Sequence, residues 1–256
     1  MTWNPTQYQK FTKEREEPFF DLLKLITPYP EMQIVDLGCG TGALTKVLYE
    51  TLRAKNTLGV DSSREMLKES HPFVNETLTF QEISIEQFNP KEPIDLLFSN
   101  AALQWVPTHL EEIKRLTKYL TARGQIAIQM PANFDFPTHQ IAKTLAKEAP
   151  FSIQEERPLT VLPLEEYAKL FFELGFEKQH VRCQVYPHRL ESTTSAVEWV
   201  KGSLLTYYEA RLSSSLYKQF LTEYQKRLLT YFGDQKPFFL PFKRILLYAS
   251  GLKACR

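Results

Sequence analysis

The chain has 256 residues, 43% of them hydrophobic, which is long enough for one large domain or for a core domain with an appended cap. Its 31 lysines and arginines balance 30 acidic residues, so the whole-molecule field gives no basis for binding nucleic acid or anionic membrane. No apolar run has the character of a signal peptide or the length of a membrane span, and the cysteines at 39, 183 and 255 form no CxxC or Cys/His ligand spacing; the expectation is a reducing, cytoplasmic compartment without disulfides, structural zinc or another metal.

Tyr8, Phe11, Phe19, Leu22, Leu23 and Ile26 recur at helical spacing with Pro18 in their midst. Two consecutive short helices are predicted, Pro18 lying in the first turn of the second. From Ile34 the pattern alternates between strand and helix. Strands are predicted at Ile34–Leu37, Thr57–Val60, Leu78–Gln81, Ile94–Ser99 and Gln125–Met130. Helices are predicted at Ala43–Leu52, at Ser63–Glu69 with Ser62 or Ser63 as its cap, and from Pro107 through Leu110, Ile113, Leu116 and Leu120. Such alternation implies a doubly wound, mostly parallel α/β sheet, whose ligands sit at the carboxyl ends of the strands. Beyond Met130 come helices at Thr138–Lys147 and Leu164–Leu174 and a strand at Lys178–Tyr186. Residues 190 to 235 read as helical, with Leu216, Phe220, Tyr224, Leu228 and Tyr231 on one stripe, and Phe242–Ala249 reads as a closing strand that would run antiparallel at the edge.

The chemistry centres on Val35-Asp36-Leu37-Gly38-Cys39-Gly40-Thr41-Gly42. A strand running into a glycine-rich turn and then a helix lets a ligand approach the backbone closely. Asp61, at the end of the second strand, stands where a carboxylate can accept both hydroxyls of a ribose. Gly38, Gly40 and Ala43 also satisfy the dinucleotide fingerprint. Asp36 weighs against a pyrophosphate, which it would repel, and for S-adenosylmethionine, whose ammonium and sulfonium it would attract.

These residues resemble the class I S-adenosylmethionine-dependent methyltransferases, which implies a seven-stranded Rossmann-like sheet with one reversed strand. Trp3-Asn4-Pro5-x-x-Tyr8, Ser99-Asn100-Ala101-Ala102-Leu103-Gln104-Trp105, Gln129-Met130-Pro131-x-Asn133 and Glu198-Trp199-Val200 are similar to the trans-aconitate methyltransferase family. The shorter SNAALQW block is also similar to the methyltransferases that esterify malonyl-acyl carrier protein. The resemblance implies a helical segment over the donor at 1–29, a core at 30–187 and 239–256, and a substrate cap at 188–238. It implies donor contacts from Tyr8, Arg15, Asp36, Gly38, Cys39, Gly40, Asp61, Ser62, Ile83, Ser84 and Asn100. Gln104, Trp105, Tyr186, His188 and Arg244 would border a small acidic substrate, with a surface charge as the alternative for Arg244 and a solvated loop residue as the alternative for His188. Two departures stand out. Ser84 replaces the acid that relatives use for the adenine amino group, and Leu204-Leu205-Thr206-Tyr207 replaces a stretch in which an arginine is expected.

A carboxylate acceptor is already ionised at neutral pH, so no general base is expected. A hydroxyl acceptor would need one, and His139 or His188 would then serve. A non-enzymatic donor-binding module would use Tyr207, Tyr208, Tyr217 and Tyr224 to hold a partner.

Overall fold

The computed structural model describes residues 12–155 and 160–252, with side chains from residue 16 onward. Seven strands form one mixed sheet in the order β3-β2-β1-β4-β5-β7-β6. They are β1 (Gln33–Leu37), β2 (Asn56–Asp61), β3 (Leu78–Glu82), β4 (Ile94–Asn100), β5 (Leu120–Pro131), β6 (Phe176–Leu190) and β7 (Phe238–Leu252). The first five pair in parallel, and β7 runs antiparallel to β5, Gln125 facing Ser250 and Pro131 facing Arg244. The fold is therefore the expected doubly wound α/β sheet.

The chain divides into two compact units. The larger, over described residues 16–131, 160–184 and 244–252, holds β1 to β5, the first part of β6 and the last of β7. Its helices are α1 (Thr12–Leu23), α2 (Ala43–Leu52), α3 (Arg64–Leu67), α4 (His109–Thr117) and α6 (Leu164–Glu173). Alternate residues of the central strands point to one face: Ile34, Leu96, Phe98, Ala127, Leu246 and Tyr248 form a core with Phe19, Leu22, Leu48 and Leu52. The Phe19 ring meets Phe98 edge-on at 5.5 Å.

The second unit, over described residues 12–15, 132–155 and 185–243, contains α5 (Pro137–Lys147), α7 (Ser195–Lys201), α8 (Thr206–Glu209) and α9 (Ser214–Phe232). Its core gathers Leu145, Trp199, Leu205, Tyr208, Phe220 and Tyr224. Residues 132–159, counted with the core on sequence grounds, cluster with this unit.

Several local expectations are corrected. Pro18, expected in the first turn of a second helix, lies inside the helix Thr12–Leu23, while Tyr8 and Phe11 of the first anticipated helix lie outside the described residues; the missing N–H forfeits one backbone bond, and the burial of Phe19 and Leu22 to 0% exposure offsets it. The helix expected from Pro107 begins at His109, and Leu120 opens β5 rather than ending that helix. Helix α3 closes after four residues and passes into a 3-10 segment, Lys68–Phe73, which contains Pro72. The long helical stretch after 190 is three helices. On α9, Tyr217 is buried, whereas Tyr231 is 64% exposed and lies off the stripe.

These placements set the energetics of substitution. Leu22→Ala is expected to cost about 2–5 kcal/mol in urea unfolding, the range for truncating a fully buried leucine. Tyr231→Ser is expected to stay within about 0.5 kcal/mol of the parent protein.

Candidate active site

Strand β1 ends in a turn built from left-handed glycines, Gly38 at φ 74, Gly40 at φ 57 and Gly42 at φ 76. The amides of Gly38 and Cys39 both donate to the Val60 carbonyl, at 2.8 and 3.0 Å, which anchors the turn to β2. A Cβ at Gly38 would lie 2.1 Å from the Ala102 methyl, and one at Gly42 would lie 2.6 Å from the Phe80 ring. The turn is thus packed from behind, and side chains are excluded from it. Cys39 points inward, its sulfur 2.9 Å from where a Cβ would stand on Gly59. Burial pushes its thiol pKa up, so Cys39 offers a ligand its backbone and not a thiolate.

Asp61 does more than wait at the strand end. Its Oδ2 accepts from the Gly40 amide at 2.9 Å and its Oδ1 from the Ser63 amide at 2.8 Å. Each oxygen keeps a lone pair for a further donor. Ser62 is exposed beside it, and Ser63 caps α3 through the Met66 amide. Ile83 and Ser84 are half-buried in the turn after β3, where the Ile83 amide donates to the Asp61 carbonyl.

Asp36 is buried, 4% exposed, and accepts from the Thr45 hydroxyl at 2.7 Å. Burial, reinforced by the Asp61 charge and opposed by the Thr45 bond, raises its pKa from 3.8 to about 7. Asn100, at the end of β4, has a buried Oδ1 without a hydrogen-bond partner among the described residues. Both acceptors stand on residues at or next to the carboxyl ends of their strands.

The loop after β4 is fixed from both sides. The Gln104 Nε2 donates to the Ala101 carbonyl, and the Thr160 hydroxyl donates to the Gln104 carbonyl at 2.5 Å. The Gln104 Oε1 is buried without a partner among the described residues, while Trp105 is 36% exposed. Below them His109 bonds the Val106 carbonyl through Nδ1 and the Tyr167 hydroxyl through Nε2, and that hydroxyl accepts from the Leu162 amide. This network was not anticipated, because its members are 58 residues apart.

Arg244 is 6% exposed and donates to the Gln129 Oε1 at 3.3 Å. It is not a surface charge at a strand edge. Nor is His188 a solvated loop residue: it lies on β6, 3% exposed, its ring 4.6 Å from Trp199, with Tyr186 stacked at 6.4 Å. Alternation of buried Tyr186, His188 and Leu190 with exposed Val185, Pro187 and Arg189 is the strand signal that identifies this segment. His139 lies on α5, its Nδ1 3.2 Å from the Thr138 hydroxyl. Tyr8 and the side chain of Arg15 lie outside the described residues.

Thr206 donates to the Ser203 carbonyl, and the neighbouring Arg211 pairs with Glu155 and stacks on Tyr207 at 3.6 Å. Tyr207, Tyr208, Tyr217 and Tyr224 are all buried, which removes the tyrosine surface that a partner-binding module would need. Among the described residues no group of three or more His, Cys, Asp or Glu could hold a metal, and no helix is long and apolar enough to cross a membrane.

A doubly wound sheet with a reversed last strand, a left-handed glycine turn after β1 and a carboxylate after β2 define an S-adenosylmethionine-dependent methyltransferase. The chain belongs to that family: residues 11–181 match the methyltransferase domain model. It is similar at 35% identity to the trans-aconitate 2-methyltransferase of Deinococcus radiodurans, over 98% of both chains. The protein of that name from Escherichia coli O1:K1 is 32% identical over 96% of this chain and 97% of its own. Among solved structures, YcgJ of Bacillus subtilis shares the fold with a TM-score of 0.62 at 15% identity, covering 93% of this chain and all of its own. A phosphoethanolamine N-methyltransferase of Haemonchus contortus does so with 0.57 at 15%, over 91% of this chain and 52% of its own.

The raised pKa of Asp36 has a stability signature. The folded state holds a proton that the unfolded chain has already lost, so stability falls as pH rises from about 4 through about 7, and the penalty is complete above that. In urea unfolding, Asp36→Asn is expected to gain roughly 2–3 kcal/mol on the parent protein between pH 5 and pH 8. A pH-independent difference would contradict the assignment.

Proposed function

We propose that the chain methylates a carboxylate of a small organic acid, trans-aconitate being the first acceptor to test. The observation that carries this is the buried Arg244 guanidinium at the carboxyl end of the sheet, in a chain 35% identical to a protein named for that acid. A guanidinium matches a carboxylate in charge and in bidentate geometry.

The turn fits S-adenosylmethionine. Side chains at Gly38 and Gly42 would strike Ala102 and Phe80, so the turn stays bare backbone, and Asp36 and the Asn100 Oδ1 are buried acceptors that suit an ammonium. Asp36 and Asn100 would hold the amino group, Gly38, Cys39 and Gly40 would line the methionine part through their backbone, and Asp61 would take the ribose hydroxyls beside Ser62. Ile83 and Ser84 would border the adenine, a hydroxyl there being a weaker acceptor than a carboxylate. The resemblance adds Tyr8 and Arg15 toward the donor carboxylate. When bound, the donor supplies an electrophilic methyl on a sulfonium sulfur.

The protein's contribution is then alignment and dehydration. An ionised acceptor needs no proton removed, so no residue is assigned as a base. Holding the acceptor oxygen in line is worth up to about 7–11 kcal/mol in well-oriented systems. Gln104, Trp105 and Arg244 would orient the acid. Neither Cys39 nor Cys183 is in a disulfide, and the cytoplasm is the compartment we assign.

Incubation with methyl-labelled donor and trans-aconitate is expected to yield a labelled product that mild alkali hydrolyses. A labelled product stable to alkali, or a folded protein that binds no donor by calorimetry, would overturn the proposal. Asp61→Ala is expected to weaken donor binding by roughly 10- to 100-fold, as loss of charge-assisted hydrogen bonds requires.

A further inference from the structure

Strand β5 carries two glutamines on the same face of the sheet, four residues apart, and the fold treats them differently. Gln125 is fully committed: its Oε1 accepts from the Thr27 amide at 2.9 Å and the Tyr248 hydroxyl at 2.7 Å, and its Nε2 donates to the Thr27 carbonyl at 2.8 Å. Gln129 is 0% exposed, its Oε1 accepts from Arg244, and its Nε2 has no hydrogen-bond partner among the described residues. A guanidinium has no acceptor, so the amide cannot be turned the other way without setting donor against donor. The two N–H groups of Gln129 are therefore committed to the opposite side, buried and unmatched. An unmade hydrogen bond at a buried group is costly, and the same strand shows that the fold can satisfy a glutamine completely.

The strand register gives these groups an order. Asp36 pairs with Phe98 on β4, Asn100 pairs with Gln129 on β5, and Arg244 faces Pro131, two residues along that strand. Paired and alternate residues share a face. One edge of the sheet thus presents acceptors on β1 and β4 and donors on β5 and β7. A ligand lying along it meets carboxylate and carbonyl oxygen first, then amide N–H and guanidinium.

We propose that Gln129 is a specificity residue that binds, through Nε2, a carboxylate of the methyl acceptor other than the one methylated. Arg244 fixes the amide orientation and adds charge beside it. The acceptor class is accordingly an acid with at least two carboxylates. The proposal rests on carboxyl methylation as the activity, but it fails separately from it.

Gln129→Glu replaces the N–H donors by an anion without changing shape, and Gln129→Met removes the polar group at similar volume. Both are measured for S-adenosylhomocysteine affinity, thermal midpoint, and KM and kcat with trans-aconitate. The expected result is a KM for the acid raised at least 10-fold, more for Glu than for Met, with homocysteine-product affinity changed less than 3-fold. An unchanged KM overturns the proposal, and so does a loss confined to donor affinity, which would place the amide on the donor's own carboxylate instead. A second measurement needs no variant. The parent enzyme is given an acceptor whose non-reacting carboxylates are carboxamides, and at least a 10-fold loss in kcat/KM is expected. Equal turnover of acid and amide overturns the proposal while leaving carboxyl methylation standing. Absence of any ester from any acid would remove the underlying activity instead.

Discussion

The site depends on one carboxylate holding two turns together. Asp61 ends β2, yet its oxygens are bonded to amides of the Gly40 turn after β1 and of the Ser63 turn that opens α3. Left-handed glycines can follow many paths; the Asp61 bonds, with the two amides on Val60, select one. The residue proposed to hold a ribose is thus also the residue that shapes the turn beside it, and binding and local order are not separable at this position.

Around that fixed point the polarity of the sheet edge changes from strand to strand. Asp36 and the Asn100 carbonyl oxygen sit toward β1 and β4, while the Gln129 amide and Arg244 sit toward β5 and β7. Opposite preferences within one row would give the proposed zwitterionic donor and anionic acceptor different places without any moving part. Dehydration strengthens both preferences, because field strength rises as water leaves.

What could be read in the sequence was what depends on neighbours in the chain. The strand, turn and helix around Asp36 to Leu52 follow from a short apolar run, three glycines and helical spacing, and all lie within twenty residues. Asp61 was legible because its distance from the turn is set by one helix and one strand. Arg244 and Gln129 stand 115 residues apart; the antiparallel closing strand was legible, but nothing in either segment announces that β7 inserts between β5 and β6 in the register that brings them together. The solvated-loop alternative for His188 failed for a different reason. A Tyr-x-His tripeptide reads as loop polarity until Leu190 extends the period of two, and only then does the histidine fall on the buried side of a strand. Pro18 misled in the opposite direction, since tertiary burial of Phe19 and Leu22 carries the helix through a residue that isolated propensity would stop at.

The buried proton of Asp36 bears on how a cation would be admitted. Burial raises the pKa of this carboxyl to about 7 and favours its protonated form. An ammonium settling against it, as proposed for the donor, would displace the proton, so one positive charge leaves as another arrives. The interior is spared an uncompensated ion in either state. Such an exchange ties affinity to the acidity of the medium and makes the measured heat of association depend on the buffer that takes up the proton. The pocket would then discriminate its ligand by substitution, one cation for another, more than by attraction alone.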